Sequence, residues 1–336
     1  MTVVEGWSRR VRVPLPVDVD VRWTLRYLVV RTVDALERVQ GDRYLRSVRL
    51  HGTGAHLLLD LTHDVAGHAL VARTRPPLPP SAIVALVRRS FDLDTDLTPF
   101  RTLARRDALL APLLAARPFL RLPQLLDPFE GLIRAVLGQQ VSVVGASTMT
   151  DRLVRAFGTP LPAVSGEAPL FGFPSPQRLA DAGADTLRTI GLTNAKAATL
   201  HTVSVAVASG LVDLDALRGA PTEQAEATLV ALPGIGPWTA HYVRMRALGD
   251  RDAFPAADLG VLKAMTLADV HRRDILARAE AWRPWRAYAT LHLWESLGKR
   301  DDAPVTNAVS DPRPVTASPP SPRPAASPRR RPASSA

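Results

Sequence analysis

The sequence predicts an α+β fold: a small antiparallel sheet with two helices over 1–93, an all-helical domain over 94–300, and an unstructured tail over 301–336. Three observations carry this reading. Strand-like runs broken by glycines crowd the first segment, whereas beyond residue 94 helical spacing recurs with short connectors and little alternation. The last segment is Pro, Ser, Ala and Arg with almost no large apolar side chain, too little to offset chain entropy.

In chain order, "RRVRVPL" alternates and suggests a first strand. "VRWTLRYLVVRTVDALERV" places Leu25, Leu28, Val29, Val33 and Leu36 at helical spacing, with Asp20 positioned to cap it. Three strand-like runs follow, "YLRSVRLHG", "AHLLLDLTH" and "HALVARTR", broken by Gly52, Gly54 and Gly67. "RPPLPP" is a stiff connector, and "SAIVALVRRSFDL" returns to helix. Nothing in this part looks catalytic. The clearest helical runs of the second part are "DPFEGLIRAVLGQQVSVVGASTMTDRLVRAF", "SPQRLADAGADTLRTI", "NAKAATLHTVSVAVASG", "TEQAEATLVAL" and "WRPWRAYATLHLWESLG".

Composition bounds the chemistry. The chain has 336 residues and no cysteine, which excludes disulfides, thiolate zinc sites and cysteine-ligated iron–sulfur clusters. Its eight histidines form no ligand-spaced cluster, and no apolar run approaches the ~18 residues of a membrane span. Glu5 falls where a signal peptide would begin its apolar core, so the expectation is a cytoplasmic protein associated with the nucleoid, without a membrane partner. Net charge is +10; the tail holds five Arg against three Asp, so the body itself is basic and suits a polyanion. An arginine-rich composition bias is the plainer explanation of the same charge.

"ALPGIGPWTAHYVRMRALG" (231–249) sets two glycines and two prolines directly before an apolar helix. Gly234 and Gly236 supply positive φ or close backbone approach, while Pro233 and Pro237 fix φ around them. Such a turn presents unpaired N–H groups at a helix N-terminus, which suits a phosphate. An ordinary αα-corner remains the alternative for the glycines alone.

With "FPAADLGVLKAM" downstream, "LPGIGPWTAHY" resembles the helix–hairpin–helix, Gly/Pro-rich loop and Asp (HhH-GPD) signature of base-excision DNA glycosylases, in particular the AlkA type of DNA-3-methyladenine glycosylase II. "PVDVDVRWTLRYLVVRTVDALERVQGDRYLRSVRL", "DPFEGLIRAVLGQQVSV" and "AWRPWRAYATLHLW" are similar to the family's N-terminal domain, first core helix and last helix, so the resemblance spans about residues 10–298. It implies catalysis by Asp258, which lies 22 positions after Gly236 and, judged alone, is simply the N-cap of the next helix. A carboxylate there would stabilise oxocarbenium character at C1′ as a positively charged alkylpurine leaves.

The resemblance further implies a base pocket of Trp238, Tyr242, Trp294 and Leu259, in which a flipped cationic base gains cation–π energy. Trp282 and Trp285 read as core. Trp238 stands where bifunctional relatives carry a Schiff-base lysine, so a monofunctional enzyme leaving an abasic site is expected. The implied intercalating residue is Gln140, where alkyladenine relatives have Leu; alternatively Gln139 and Gln140 cap or bridge helices. Pro237 replaces a basic residue, and Leu259 an aromatic, found at these positions in relatives. Phosphate contacts are expected from the backbone of Gly234, Gly236 and Thr239, and a structural Na+ or K+ from the carbonyls of Val230, Leu232 and Ile235; no cofactor is required. The expected partner is duplex DNA with alkylated bases, bound by a monomer. A glycosylase for uracil, hypoxanthine or a mismatch, and a non-catalytic hairpin DNA-binding protein, remain open alternatives.

Overall fold

The computed structural model describes residues 6–50 and 53–298. Gly52 and the tail over 301–336 lie outside them.

The N-terminal part is a five-stranded, fully antiparallel sheet in the order β1 (Val11–Pro14), β5 (Ala69–Arg75), β4 (His56–Asp64), β3 (Arg43–Arg49), β2 (Glu37–Gln40). Alternation fixes its register: Val13 faces Leu70 and Tyr44 faces Leu61 across neighbouring strands. Helices α1 (Val21–Val29) and α2 (Pro80–Ser90) cover one face, burying Val21, Leu25, Ile83 and Val87 against Leu59, Leu61 and Leu70. Asp20 caps α1 as the sequence predicts, accepting a bond from the Trp23 N–H at 2.8 Å.

The first helix is shorter than its periodicity suggests. It ends at Val29, so Val33 and Leu36 lie beyond it, and Glu37–Gln40 becomes a strand. Local sequence and tertiary contacts both oppose helix here. Val29, Val30, Thr32 and Val33 are all β-branched. Ala35 donates its N–H to Asp151 Oδ1 at 2.7 Å, and Glu37 is drawn into a buried charge cluster with Arg46 and Arg134.

The remainder is helical: α3 (Thr98–Arg106), α4 (Leu110–Ala116), α5 (Pro128–Gly138), α6 (Val143–Phe157), α7 (Pro176–Arg188), α8 (Asn194–Ala208), α9 (Thr222–Val230), α10 (Pro237–Val243), α11 (Leu259–Leu267), α12 (Ile275–Glu280) and α13 (Arg286–Ser296). A short ribbon of β6 (Thr159–Pro160) and β7 (Phe171–Gly172) lies between α6 and α7. The long run over 127–157 is two helices rather than one. Gln140 adopts a left-handed φ of +58°, and Ser142 starts α6 by accepting from the Gly145 N–H at 3.1 Å.

Two apolar clusters divide the helices. One joins α5 to α10 around Phe129, Leu200 and Val243; the other joins α1, α3, α4 and α11 to α13 around Phe100, Trp282 and Leu291. Trp282 and Trp285 are buried there, as expected of core residues. The sheet is tied to α5 by buried ions: Arg46 Nη2 donates to both oxygens of Glu130 at 2.7 and 2.9 Å, and Arg49 forks onto Asp127 through Nε and Nη2 at 2.7 Å each.

Candidate active site

The hairpin between α9 and α10 is held from inside by its apolar members. Leu232 and Ile235 are buried, and the Ile235 N–H bonds the Leu232 carbonyl at 3.0 Å. Gly234 has φ +83° and packs so closely on α8 that a Cβ there would lie 2.1 Å from Thr199 Oγ1. Both facts require glycine. Gly236, the N-cap of α10, is different: its φ is −87° and a Cβ would meet open space.

Within the protein, the N–H groups of Gly234, Gly236 and Thr239 have no hydrogen-bond acceptor among the described residues. They form the donor set that an anion at this turn would need. The carbonyls of Val230 and Ile235 accept no bond among the described residues, and that of Leu232 accepts one, leaving hard oxygen donors suited to a small monovalent cation.

Asp258 caps α11 and is bonded from four sides. Its Oδ1 accepts from the N–H groups of Gly260 (2.9 Å) and Val261 (3.1 Å) and from Trp294 Nε1 (2.8 Å). Among the described residues, its Oδ2 accepts only from Trp238 Nε1, at 3.0 Å. Capping and site-building therefore coexist in one residue. The two indoles are linked through Tyr242: Trp238 stacks on it with centroids 5.5 Å apart, and Trp294 lies 6.3 Å from it, tilted by 42°.

Asp258, Trp238, Tyr242 and Trp294 line a cleft of about 1200 Å³. Leu259 stands at its rim, 76% exposed. Gln140, also in the lining, is exposed at the tip of the α5–α6 turn beside the exposed Val141 and Val143. Gly234, Gly236 and Thr239 also line this cleft, whereas Val230, Leu232 and Ile235 do not. His241, near the start of the hairpin helix, has a structural task. Its Nδ1 accepts from the Phe254 N–H at 3.2 Å, and burial pushes its imidazole below the usual range. Among the described residues no group of His, Asp and Glu could hold a metal ion.

Family models match almost the whole described chain: the AlkA N-terminal domain over residues 10–127 and the HhH-GPD superfamily base excision DNA repair protein over 133–289. DNA-3-methyladenine glycosylase 2 of Escherichia coli is 34% identical over 287 residues, covering 84% of this chain and 96% of that one. The chain belongs to the AlkA-type family of the HhH-GPD superfamily. A second AlkA-type relative, the probable bifunctional transcriptional activator/DNA repair enzyme AlkA of Mycobacterium tuberculosis, is 37% identical over 273 residues. The match covers 81% of this chain, which spans about half (53%) of that longer protein. The 3-methyladenine DNA-glycosylase from Archaeoglobus fulgidus shares the fold, with a TM-score of 0.73, 22% identity, and coverage of 84% and 96% of the two chains.

Two contributors to the AlkA-type site, Gly260 and Lys196, escape sequence reasoning, and for a third, Gln139, the sequence offers only a role in capping or bridging helices. Gly260 sits in the first turn of α11, where a Cβ would lie 2.8 Å from Trp294 Cδ1; a glycine inside a helix start was the available signal. Gln139 donates from Nε2 to the Gly234 carbonyl and to Thr239 Oγ1, both at 3.0 Å. Lys196 donates from Nζ to the Leu137 carbonyl at 2.8 Å. The last two act across 95 and 59 residues of chain, so no local pattern names their partners.

Proposed function

We propose that the protein is a monofunctional DNA glycosylase that flips N3- and N7-alkylated purines out of duplex DNA and hydrolyses their glycosidic bond. The observation that carries this reading is Asp258, a carboxylate held by two indole and two backbone N–H groups at an aromatic cleft. An alkylated purine is already cationic. Its C1′–N bond breaks with the electron pair passing to the ring, so the base leaves neutral and no general acid is needed. Positive charge then develops on the sugar, where Asp258 stabilises it.

Oδ1 carries three donors and is fixed as the cap, which leaves Oδ2, with one, to face C1′ and orient the attacking water. The water oxygen bonds C1′ and releases a proton, giving the abasic sugar. Trp238, Tyr242 and Trp294, with Leu259 at the rim, form the pocket for the flipped base. The cation–π gain over an indole, on the order of 1–2 kcal/mol when desolvated, favours a cationic base over a neutral one.

The N–H groups of Gly234, Gly236 and Thr239 bind a phosphate, and the carbonyls of Val230, Leu232 and Ile235 hold a Na+ or K+ that would add positive charge beside it. Gln140 fills the space left by the base. Trp238 at the position of the lyase lysine supports a hydrolytic reaction without strand cleavage. The chain acts as a monomer, its 1–93 unit scaffolding the helical unit of 94–300, a role the Arg46–Glu130 and Arg49–Asp127 pairs support.

A panel of duplexes tests this reading, each with one 7-methylguanine, hypoxanthine, uracil or mismatch. Release of the methylated purine without strand nicking is the expected result. Exclusive uracil release, or a borohydride-trapped covalent adduct, would overturn it.

A further inference from the structure

Gln139 stands between the two parts of the protein that the glycosylase reading sends to DNA. It is the C-cap of α5, directly before the exposed, left-handed Gln140. Both protons of its amide are used on the hairpin: Nε2 donates to the Gly234 carbonyl and to Thr239 Oγ1 at 3.0 Å each. A carbonyl can only accept, which fixes the amide with its nitrogen toward the hairpin.

The same two segments are braced from α8. Lys196 Nζ bonds the Leu137 carbonyl at 2.8 Å, near the end of α5. One turn along α8, Thr199 is the surface on which Gly234 rests. The end of α5 and the hairpin are therefore joined twice, once through α8 and once directly through Gln139. A left-handed conformation at Gln140 is unfavourable for a residue with a Cβ and persists only when its surroundings hold it.

We propose that Gln139 is a positioning residue that locks the Gln140 turn to the phosphate-binding hairpin, so that gripping the backbone and inserting Gln140 are one motion. Its effect is carried through Gln140 and not through Asp258. This inference rests on the glycosylase reading given above. A merely structural role for Gln139 would lower stability and weaken binding to any DNA. A positioning role instead slows base release and makes that loss depend on Gln140.

The test is a double-mutant cycle of Gln139→Ala and Gln140→Ala on a duplex with one 7-methylguanine. Base release is read in single turnover at saturating enzyme. Each single variant should release the base about tenfold more slowly, and the double variant no more slowly than about twofold below the slower single. Gln139→Ala should bind undamaged duplex within about twofold of wild type, because the hairpin N–H groups remain. Thr239→Val, which removes one acceptor and keeps the backbone N–H, should cost about threefold in release. If Gln139→Ala does not fold, the cycle of Thr239→Val with Gln140→Ala carries the same test. A double variant slowed by the product of the two losses, about a hundredfold, or a Gln139→Ala protein at wild-type rate, overturns the inference alone. Wild-type protein that releases no base overturns the glycosylase reading and this inference with it.

Discussion

At Asp258 a helix cap is also the meeting point of the aromatic cleft, because the residue that satisfies the first turn of α11 also receives Trp238 and Trp294 from two other helices. The cap was legible from sequence as an Asp before an apolar run. The indole contacts were not, since they join positions 20 and 36 residues away through tertiary packing. Trp238 accordingly does more than line the cleft; it donates to Asp258 Oδ2. His292 is buried beside Phe100, and burial pushes its imidazole down to about 4 from the usual 6.5. Folded His292 thus stays neutral at pH values where the unfolded chain would protonate it. Between these values the unfolded state binds more protons, so stability falls as pH drops, by at most about 1.4 kcal/mol per pH unit from this group. Thermal unfolding of His292→Leu followed from pH 7 to 4.5 should show a shallower decline than wild type. An equally steep decline would remove His292 as a source of the effect.

Among the elements, the hairpin separates two glycines that sequence reading treated alike. Gly234 is fixed by the fold, through its positive φ and its contact with Thr199, whereas Gly236 has room for a side chain in the free protein. Gly234→Ala should therefore destabilise the protein by at least about 2 kcal/mol in urea unfolding. Gly236→Ala should unfold like wild type yet bind duplex DNA more weakly, because the open space beside Gly236 is where the proposed phosphate would lie. Equal stability losses in both would contradict this division. The hairpin's helices were legible because Gly and Pro punctuate an apolar run at 233–237. The strand Glu37–Gln40 was not, for its residues carry no clear alternation. It exists because Arg46 and Arg134 draw Glu37 inward and β3 offers a pairing edge. The turn at Gln139 and Gln140 was similarly hidden inside one long apolar pattern.

For the whole molecule, the sheet and helices act as one body because charges are buried between them. Arg46 and Glu130 are both nearly inaccessible, and Arg46 keeps its charge there through Glu130 and Glu37 despite desolvation. Removing Glu130 takes away the carboxylate that Arg46 bonds at 2.7 Å and leaves its buried charge facing Glu37 at 3.7 Å. Glu130→Gln should lower stability by about 3–5 kcal/mol, far more than a surface pair would, and differential scanning calorimetry would read it as a large fall in Tm. An unchanged Tm would show that the sheet is held to α5 by apolar contact alone. The same assembly sets the aromatic cleft, the hairpin and the Gln140 turn around Asp258, the carboxylate proposed to drive base release. The most direct test of that role is single-turnover release of 7-methylguanine from duplex DNA by wild type and Asp258→Asn, at saturating enzyme and with DNA affinity measured in parallel. Asn keeps an oxygen for the cap and loses the charge that stabilises the sugar cation. Release by Asp258→Asn should slow by about a thousandfold or more, with affinity for the duplex within a few-fold of wild type. Release at the wild-type rate by Asp258→Asn would contradict that role.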